Sequence, residues 1–190
     1  MCSSDSPEAF DSCSIMSSNV ELALLNTSLI IHEVLEEYAL PVRAYHGVVH
    51  WARVLENGLR VAAVTGAKIE VVTLFALFHD SRRVNESTDP GHGLRGAKYA
   101  RSLRGNLIHL NDADFELLYE ACRLHTDGLT DGDITVQTCW DADRLDLGRV
   151  GIEPDPELLC TDAARALIGW AHGRAIMDYE PDFVAGDWGV

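Results

Sequence analysis

Apolar positions recur at helical spacing along most of the chain. From Val20 to Tyr38 they fall at Leu22, Leu25, Leu29, Ile30, Val34 and Leu35, which predicts a helix closed by Pro41. A second helix is predicted over about 47–64, with Trp51, Val54, Leu55, Leu59 and Ala62 on one face and Gly66 as its stop. The next segment, IEVVTLFALFHD, is apolar almost throughout, and periodicity alone does not choose between a buried helix and a buried strand. Because the chain has no alternating strand patterns, a central buried helix is expected. Residues 82–91, RRVNESTDPG, read as a loop, and further helices are expected at about 92–104, 112–126, 134–147 and 161–177. The linker GIEPDPELL is broken by two prolines, and the tail EPDFVAGDWGV has no clear period. The pattern therefore predicts an all-α bundle of about seven helices, forming a single domain over residues 20–190. Residues 1–19 are Ser-rich and are expected to be a loose, dispensable tail, with Met16 an alternative start.

Composition narrows the partners. The 190 residues are 47% hydrophobic and 24% charged, ordinary for a globular protein, but the formal net charge is -15. Such a surface repels phosphate backbones and anionic lipids, so neither duplex nucleic acid nor a membrane is an expected partner. Net charge does not forbid one local basic pocket. Cys2, Cys13, Cys122, Cys139 and Cys160 form no C-x-x-C pair, and their odd number points to free thiols in a reducing compartment. No apolar run is long enough for a membrane span, and the N-terminus lacks the features of a secretory signal. A cytoplasmic location is expected from these features together.

The candidate chemistry lies in five short contexts. These are Y-H-G-V-V-H-W-A-R-V with His46, His50 and Arg53; L-F-A-L-F-H-D-S-R-R with His79 and Asp80; G-H-G-L-R-G-A with His92; A-C-R-L-H-T with His125; and C-W-D-A-D-R-L-D with Asp141 and Asp143. His79 and Asp80 are adjacent at the polar end of an almost wholly apolar helix, where a charge is costly unless paired or bound to metal. Imidazole with carboxylate suits a divalent transition metal, and bundle proteins build such sites between helices. His50 and Asp143 sit at the edge of apolar stripes and are the natural completers. Asp141 is expected to orient a ligand or a water. Arg82, Arg83 and Arg144 follow the acidic motifs, and arginines beside a metal suit an anionic substrate such as a phosphate. The competing reading pairs them with Asp141, Asp146 or Glu86. His46, one turn before His50, either lines the same pocket or is structural. His32, His109 and His172 have no motif around them.

These pieces resemble the HD-domain superfamily of metal-dependent phosphohydrolases. The likeness rests on H-x-x-R-V from His50, H-D at His79 and Asp80, H-x-x-x-G-A from His92 and D-A-D-R-L-D at 141–146, in that order over about residues 45–150. It implies an all-α fold of the HD type, a metal held by His50, His79, Asp80 and Asp143, and hydrolysis of a nucleotide or another small phosphate ester. In some relatives further histidines bind a second metal. His92 and His125 match that pattern by context, and Asp80 would then bridge two ions, with His92 or His125 serving otherwise as acid or base. The expected cofactor is one divalent ion, or two, drawn from Mn, Fe, Mg, Zn, Co or Ni. In nucleotide-cleaving relatives the basic residue after the last aspartate, here Arg144, faces substrate phosphate. Two other readings go with the resemblance: a di-iron oxygenase acting on a small polar substrate, and a regulatory module that binds a nucleotide without turnover.

Overall fold

The computed structural model describes residues 27–190. The expected tail over 1–19, the first part of the expected first helix and the cysteines Cys2 and Cys13 lie outside the described residues. Seven α-helices follow in order: α1 (Thr27–Glu36), α2 (Val48–Thr65), α3 (Ile69–Phe78), α4 (His92–Ser102), α5 (Asp112–Leu124), α6 (Ile134–Arg144) and α7 (Asp162–Ile176). Short 3-10 turns cover Leu147–Val150 and Pro156–Leu158. No β-strand occurs among the described residues. The fold is the all-α bundle that the apolar pattern predicts.

Helix α3 explains the arrangement. Every residue from Val71 to Phe78 is buried, so α3 has no polar face to give to water. A helix apolar all round is stable only in the middle of a bundle, and α1, α2, α4, α5 and α6 all pack against it. Trp51, Leu55, Phe75, Phe78, Phe115, Leu118 and Trp140 fill the core around it. Helix α7 lies outside this layer, against α2 and the Leu147–Val150 turn, over a smaller apolar cluster of Val61, Leu145, Leu159, Ala164 and Ala171.

Local chemistry sets the helix ends. Gly66 closes α2 in the left-handed conformation, donating its N–H to the carbonyl of Ala62. The side chains of Asn111, Asp133 and Thr161 cap α5, α6 and α7 by accepting from backbone N–H groups of the first turn. Two glycines let α4 approach its neighbours. A Cβ on Gly96 would lie 2.2 Å from the carbonyl oxygen of Phe78, and one on Gly93 would lie 2.3 Å from that of Cys122. The start of α4 therefore sits directly on the C-terminal ends of α3 and α5.

Two segments differ from the pattern reading. Helix α6 ends at Arg144, and the chain tightens into the Leu147–Val150 turn instead of continuing as α-helix to 147. That turn brings Asp146 and Arg149 back towards α2. The aperiodic C-terminal tail is packed: Val184 and Trp188 are fully buried, and the indole N–H of Trp188 donates to the Thr27 hydroxyl at 2.9 Å. Among the described residues no helix is long and apolar enough to cross a membrane.

Candidate metal centre

Five helix ends meet around Asp80. His50 comes from the first turn of α2, His79 and Asp80 follow α3, His92 opens α4, His125 follows α5, and Asp143 lies in the last turn of α6. All four histidines and Asp80 are buried.

Each imidazole is held by its Nδ1 and turns its Nε2 inward. His79 Nδ1 lies 3.1 Å from the carbonyl oxygen of Phe75 and 3.2 Å from that of Ala76. His125 Nδ1 is 2.8 Å from the Cys122 carbonyl, and His92 Nδ1 is 2.7 Å from that of Asp89. For His79 and His125 these are last-turn carbonyls, some of which lack intrahelical donors. His50 Nδ1 is instead 2.7 Å from a carboxylate oxygen of Asp146, which also accepts from Arg53 Nε at 2.7 Å. Acceptors at every Nδ1 place the proton there, leaving the lone pairs on Nε2.

The inward faces form two groups that share Asp80. On one side, Asp80 Oδ2 is 3.7 Å from both His50 Nε2 and His79 Nε2. Asp143 Oδ1 completes this side at 3.4 Å from His50 and 3.8 Å from His79. On the other side, Asp80 Oδ1 is 3.0 Å from His92 Nε2 and 3.6 Å from His125 Nε2. His50–His79–Asp80 and Asp80–His92–His125 are each able to hold a metal ion.

The chemistry of the donors fits a cation. The two Nε2 atoms of His50 and His79 are 3.1 Å apart, and those of His92 and His125 are 2.9 Å apart. With both Nδ1 positions protonated, each pair directs lone pair at lone pair, which requires a proton or a cation between them. Asp143 Oδ1 is buried without a hydrogen-bond donor and faces the same atoms. Burial holds His79 down to about 4, and burial together with Arg149 and His79 holds His50 well below the usual histidine value. A proton is thus disfavoured on the first pair. Burial would raise the Asp80 carboxyl, but His79, His125 and His92 outweigh it and hold it well below the usual range. Burial likewise acts to raise Asp143, and His79, Arg149 and His50 overcome it. His125 goes the other way: burial lowers it, yet Asp80 and Asp143 raise it overall. His125 therefore accepts a proton more readily than His79 does.

The other expected site residues divide into two sets. Arg83 reaches the cluster, with one Nη1 3.5 Å from Asp80 Oδ1 and 3.2 Å and 3.4 Å from the two ring nitrogens of His92. Near-equal distances to both nitrogens put the guanidinium over the ring face, leaving the in-plane lone pair open. His46 is beside the cluster, its ring 6.3 Å from that of His50, with Nδ1 2.6 Å from Glu86 Oε2. Arg144 is engaged elsewhere, donating to the carbonyls of Leu158 and Leu129 at 2.6 Å each. Arg82 lies over the Tyr99 ring and bonds the carbonyls of Val34 and Ser81. Asp141, expected to orient a ligand or water, instead accepts from Cys160 N, Thr161 N and the Thr161 hydroxyl at 2.6–2.9 Å, fixing the entry to α7. The sequence pattern offers Asp146 only as an alternative partner of the arginines and gives Arg149 no role. Arg149 is 3.9 Å from Asp143 Oδ1 with a side chain 8% exposed. Asp146 was legible in principle, as the last acid of D-A-D-R-L-D facing the arginine of H-x-x-R-V.

Comparison with known protein families, with curated proteins and with solved structures found no match.

Proposed function

We propose that this protein is a metal-dependent phosphohydrolase of the HD-domain type, acting on a nucleotide or another small phosphate ester. The observation that carries the reading is the sharing of Asp80, one carboxylate oxygen towards His50 and His79 and the other towards His92 and His125. His50, His79, Asp80 and Asp143 would hold a first divalent ion, and Asp80, His92 and His125 a second. Ions bound there supply Lewis acidity towards a phosphoryl oxygen and lower the pKa of water.

The residues around the cluster suit an anionic substrate. Arg83 and Arg149 bring two nearly buried guanidinium groups close to Asp80 and Asp143, at distances longer than a good hydrogen bond. Cations beside a cation site are favourable when an anion joins them, and guanidinium matches phosphate oxygens geometrically. Arg83 and Arg149 are the residues we assign to substrate phosphate, in place of Arg82 and Arg144. His46, held by Glu86 beside His50, would contact the part of the substrate that extends past His50.

The test is elemental analysis of protein purified without chelators, followed by phosphate release from a panel of nucleotides and sugar phosphates. Metal-dependent phosphate release that is lost in Asp80→Asn supports the proposal. Iron with substrate-dependent oxygen consumption and no phosphate release would replace it with the oxygenase reading. Nucleotide binding with metal present and no product would replace it with the regulatory one.

A further inference from the structure

Beside the metal centre several basic side chains gather around one pocket, against the grain of a chain with net charge -15. A pocket of about 340 Å³ opens where the chain leaving α1 passes the loop after α3 and the outer face of α4. Arg82, Arg83, Arg95, Lys98, Tyr99 and Glu37 are among its lining residues, and none of the four histidines or two aspartates of the cluster is. Four cations face one acid.

Arg82 is the built part of this pocket. Its guanidinium lies 3.3 Å from the centre of the Tyr99 ring, and its Nη1 donates to the carbonyls of Val34 at 3.1 Å and Ser81 at 3.0 Å. The side chain is 14% exposed. Its Nη2 is buried and has no hydrogen-bond partner. An unsatisfied buried donor on a charged group is costly, and its persistence points to a partner supplied from outside. The nearest anion is Glu37 Oε2 at 3.7 Å, on a side chain 79% exposed. Such a contact is screened by water and weakly held, so Glu37 is a displaceable placeholder. Arg95 is already neutralised by two bonds to Asp89, at 2.6 and 2.7 Å. Lys98 is exposed on α4, next to Tyr99, and its ammonium can turn into the cavity. With Arg83 turned towards Asp80 and His92, an incoming ligand meets two cations, Arg82 and Lys98, one anchored and one exposed.

We propose that this pocket is a second, separate binding site for a small phosphate-bearing anion. Two cations and several N–H donors match a multiply charged oxyanion better than a single carboxylate. The site touches the metal centre through Arg83, which lines the pocket and also reaches Asp80 and His92. A ligand that drew Arg83 outward would remove a positive charge from beside the second metal group.

Calorimetric titration of the full chain with inorganic pyrophosphate, as purified and after chelation, tests this. One site per chain is expected to survive chelation, weakened about tenfold by Arg82→Gln and by Lys98→Glu, since each removes a charge-assisted contact. Lys98→Glu is a surface change and should leave the melting temperature unaltered, so it decides the matter even if Arg82→Gln folds poorly. Glu37→Gln should act in the opposite direction and tighten binding, because it removes the competing acid. Absence of binding to the chelated chain overturns the proposal. So does binding that is indifferent to Lys98→Glu and Glu37→Gln. Equal binding of malonate and pyrophosphate would overturn the assignment to phosphate.

Discussion

Arg53 holds Asp146 through its Nε at 2.7 Å, and Asp146 holds the ring of His50, also at 2.7 Å. The arginine of H-x-x-R-V and the last acid of D-A-D-R-L-D thus join two distant motifs in one buried chain of contacts, ending on a ligand candidate. Carboxylates behind metal-binding histidines fix ring orientation and raise donor strength. Asp146→Asn should lower affinity for the first metal about 10–100-fold while leaving the second group intact. Asp146→Ala also strips Arg53 of its buried counter-ion, and the loss of stability should be roughly 3–5 kcal/mol. Metal titration and denaturant unfolding measure the two effects separately. Unchanged affinity in both variants would show that His50 does not depend on Asp146.

The shared position of Asp80 makes an asymmetric forecast for metal content. His92→Ala or His125→Ala should reduce the count from about two ions per chain to about one, because the first group keeps His50, His79, Asp80 and Asp143. Asp80→Ala should remove both, and Asp143→Ala the first. Asp141→Ala should leave the count unchanged and lower the melting temperature, since Asp141 anchors the start of α7. Elemental analysis of the five proteins decides. A loss of metal in Asp141→Ala would return that residue to the metal centre.

Acid should destabilise the metal-free protein before the carboxylates titrate. His50 and His79 are held below the ordinary histidine value of 6.5 by burial. A histidine depressed in the folded state binds its proton more readily when unfolded. Its stabilising contribution is complete above 6.5 and is lost as pH falls towards the folded value, about 4 for His79. The raised value of His125 opposes this in part. The melting temperature of chelated protein should therefore fall between pH 6.5 and 4, and His79→Gln should flatten the profile. A profile of the variant parallel to that of wild type would exclude His79 as the cause.

Gly96 and Gly173 are both helical glycines with opposite expected responses to alanine. At Gly96 the new methyl would meet the Phe78 carbonyl at 2.2 Å, so α4 must shift away from α3. The cost should be about 1–3 kcal/mol, with weaker binding of the second metal as His92 moves. At Gly173 a methyl would have no neighbour within 4 Å, and alanine should stabilise α7 by about 0.5–1 kcal/mol. Chemical denaturation of the two variants, with metal titration of Gly96→Ala, checks both signs.

The pattern of apolar residues located the helices well because burial alone decides most of them. The uniform run of α3 demanded a central position, and the polar pair His79–Asp80 at its end marked where chemistry had to be accommodated. The direction of long side chains was not legible. Arg82, Arg83 and Arg144 look equivalent in sequence, yet only Arg83 points to Asp80 and His92; Arg82 stacks on Tyr99, and Arg144 ties two loops. Arg149 lies in a 3-10 turn with no helical period to mark its inner face. The C-terminal tail hides for a related reason: Val184 and Trp188 pack from a segment with too few turns to show periodicity.

The anchoring of the four imidazoles differs in range along the chain. Those of His79, His92 and His125 are steered by carbonyls three or four residues away, within a single turn. That of His50 depends on an acid 96 residues later. Three rings therefore acquire their aim from local backbone geometry, and any short stretch that adopts the same turn carries the aim with it. The fourth acquires it only when the end of α6 has docked. In a growing or refolding chain the pair His92–His125 is oriented as soon as α4 and α5 meet, while the pair His50–His79 waits for residues 143–146. Capture of an ion by the first pair would thus report the docking of the end of α6, and capture by the second only the packing of α4 and α5 on the end of α3.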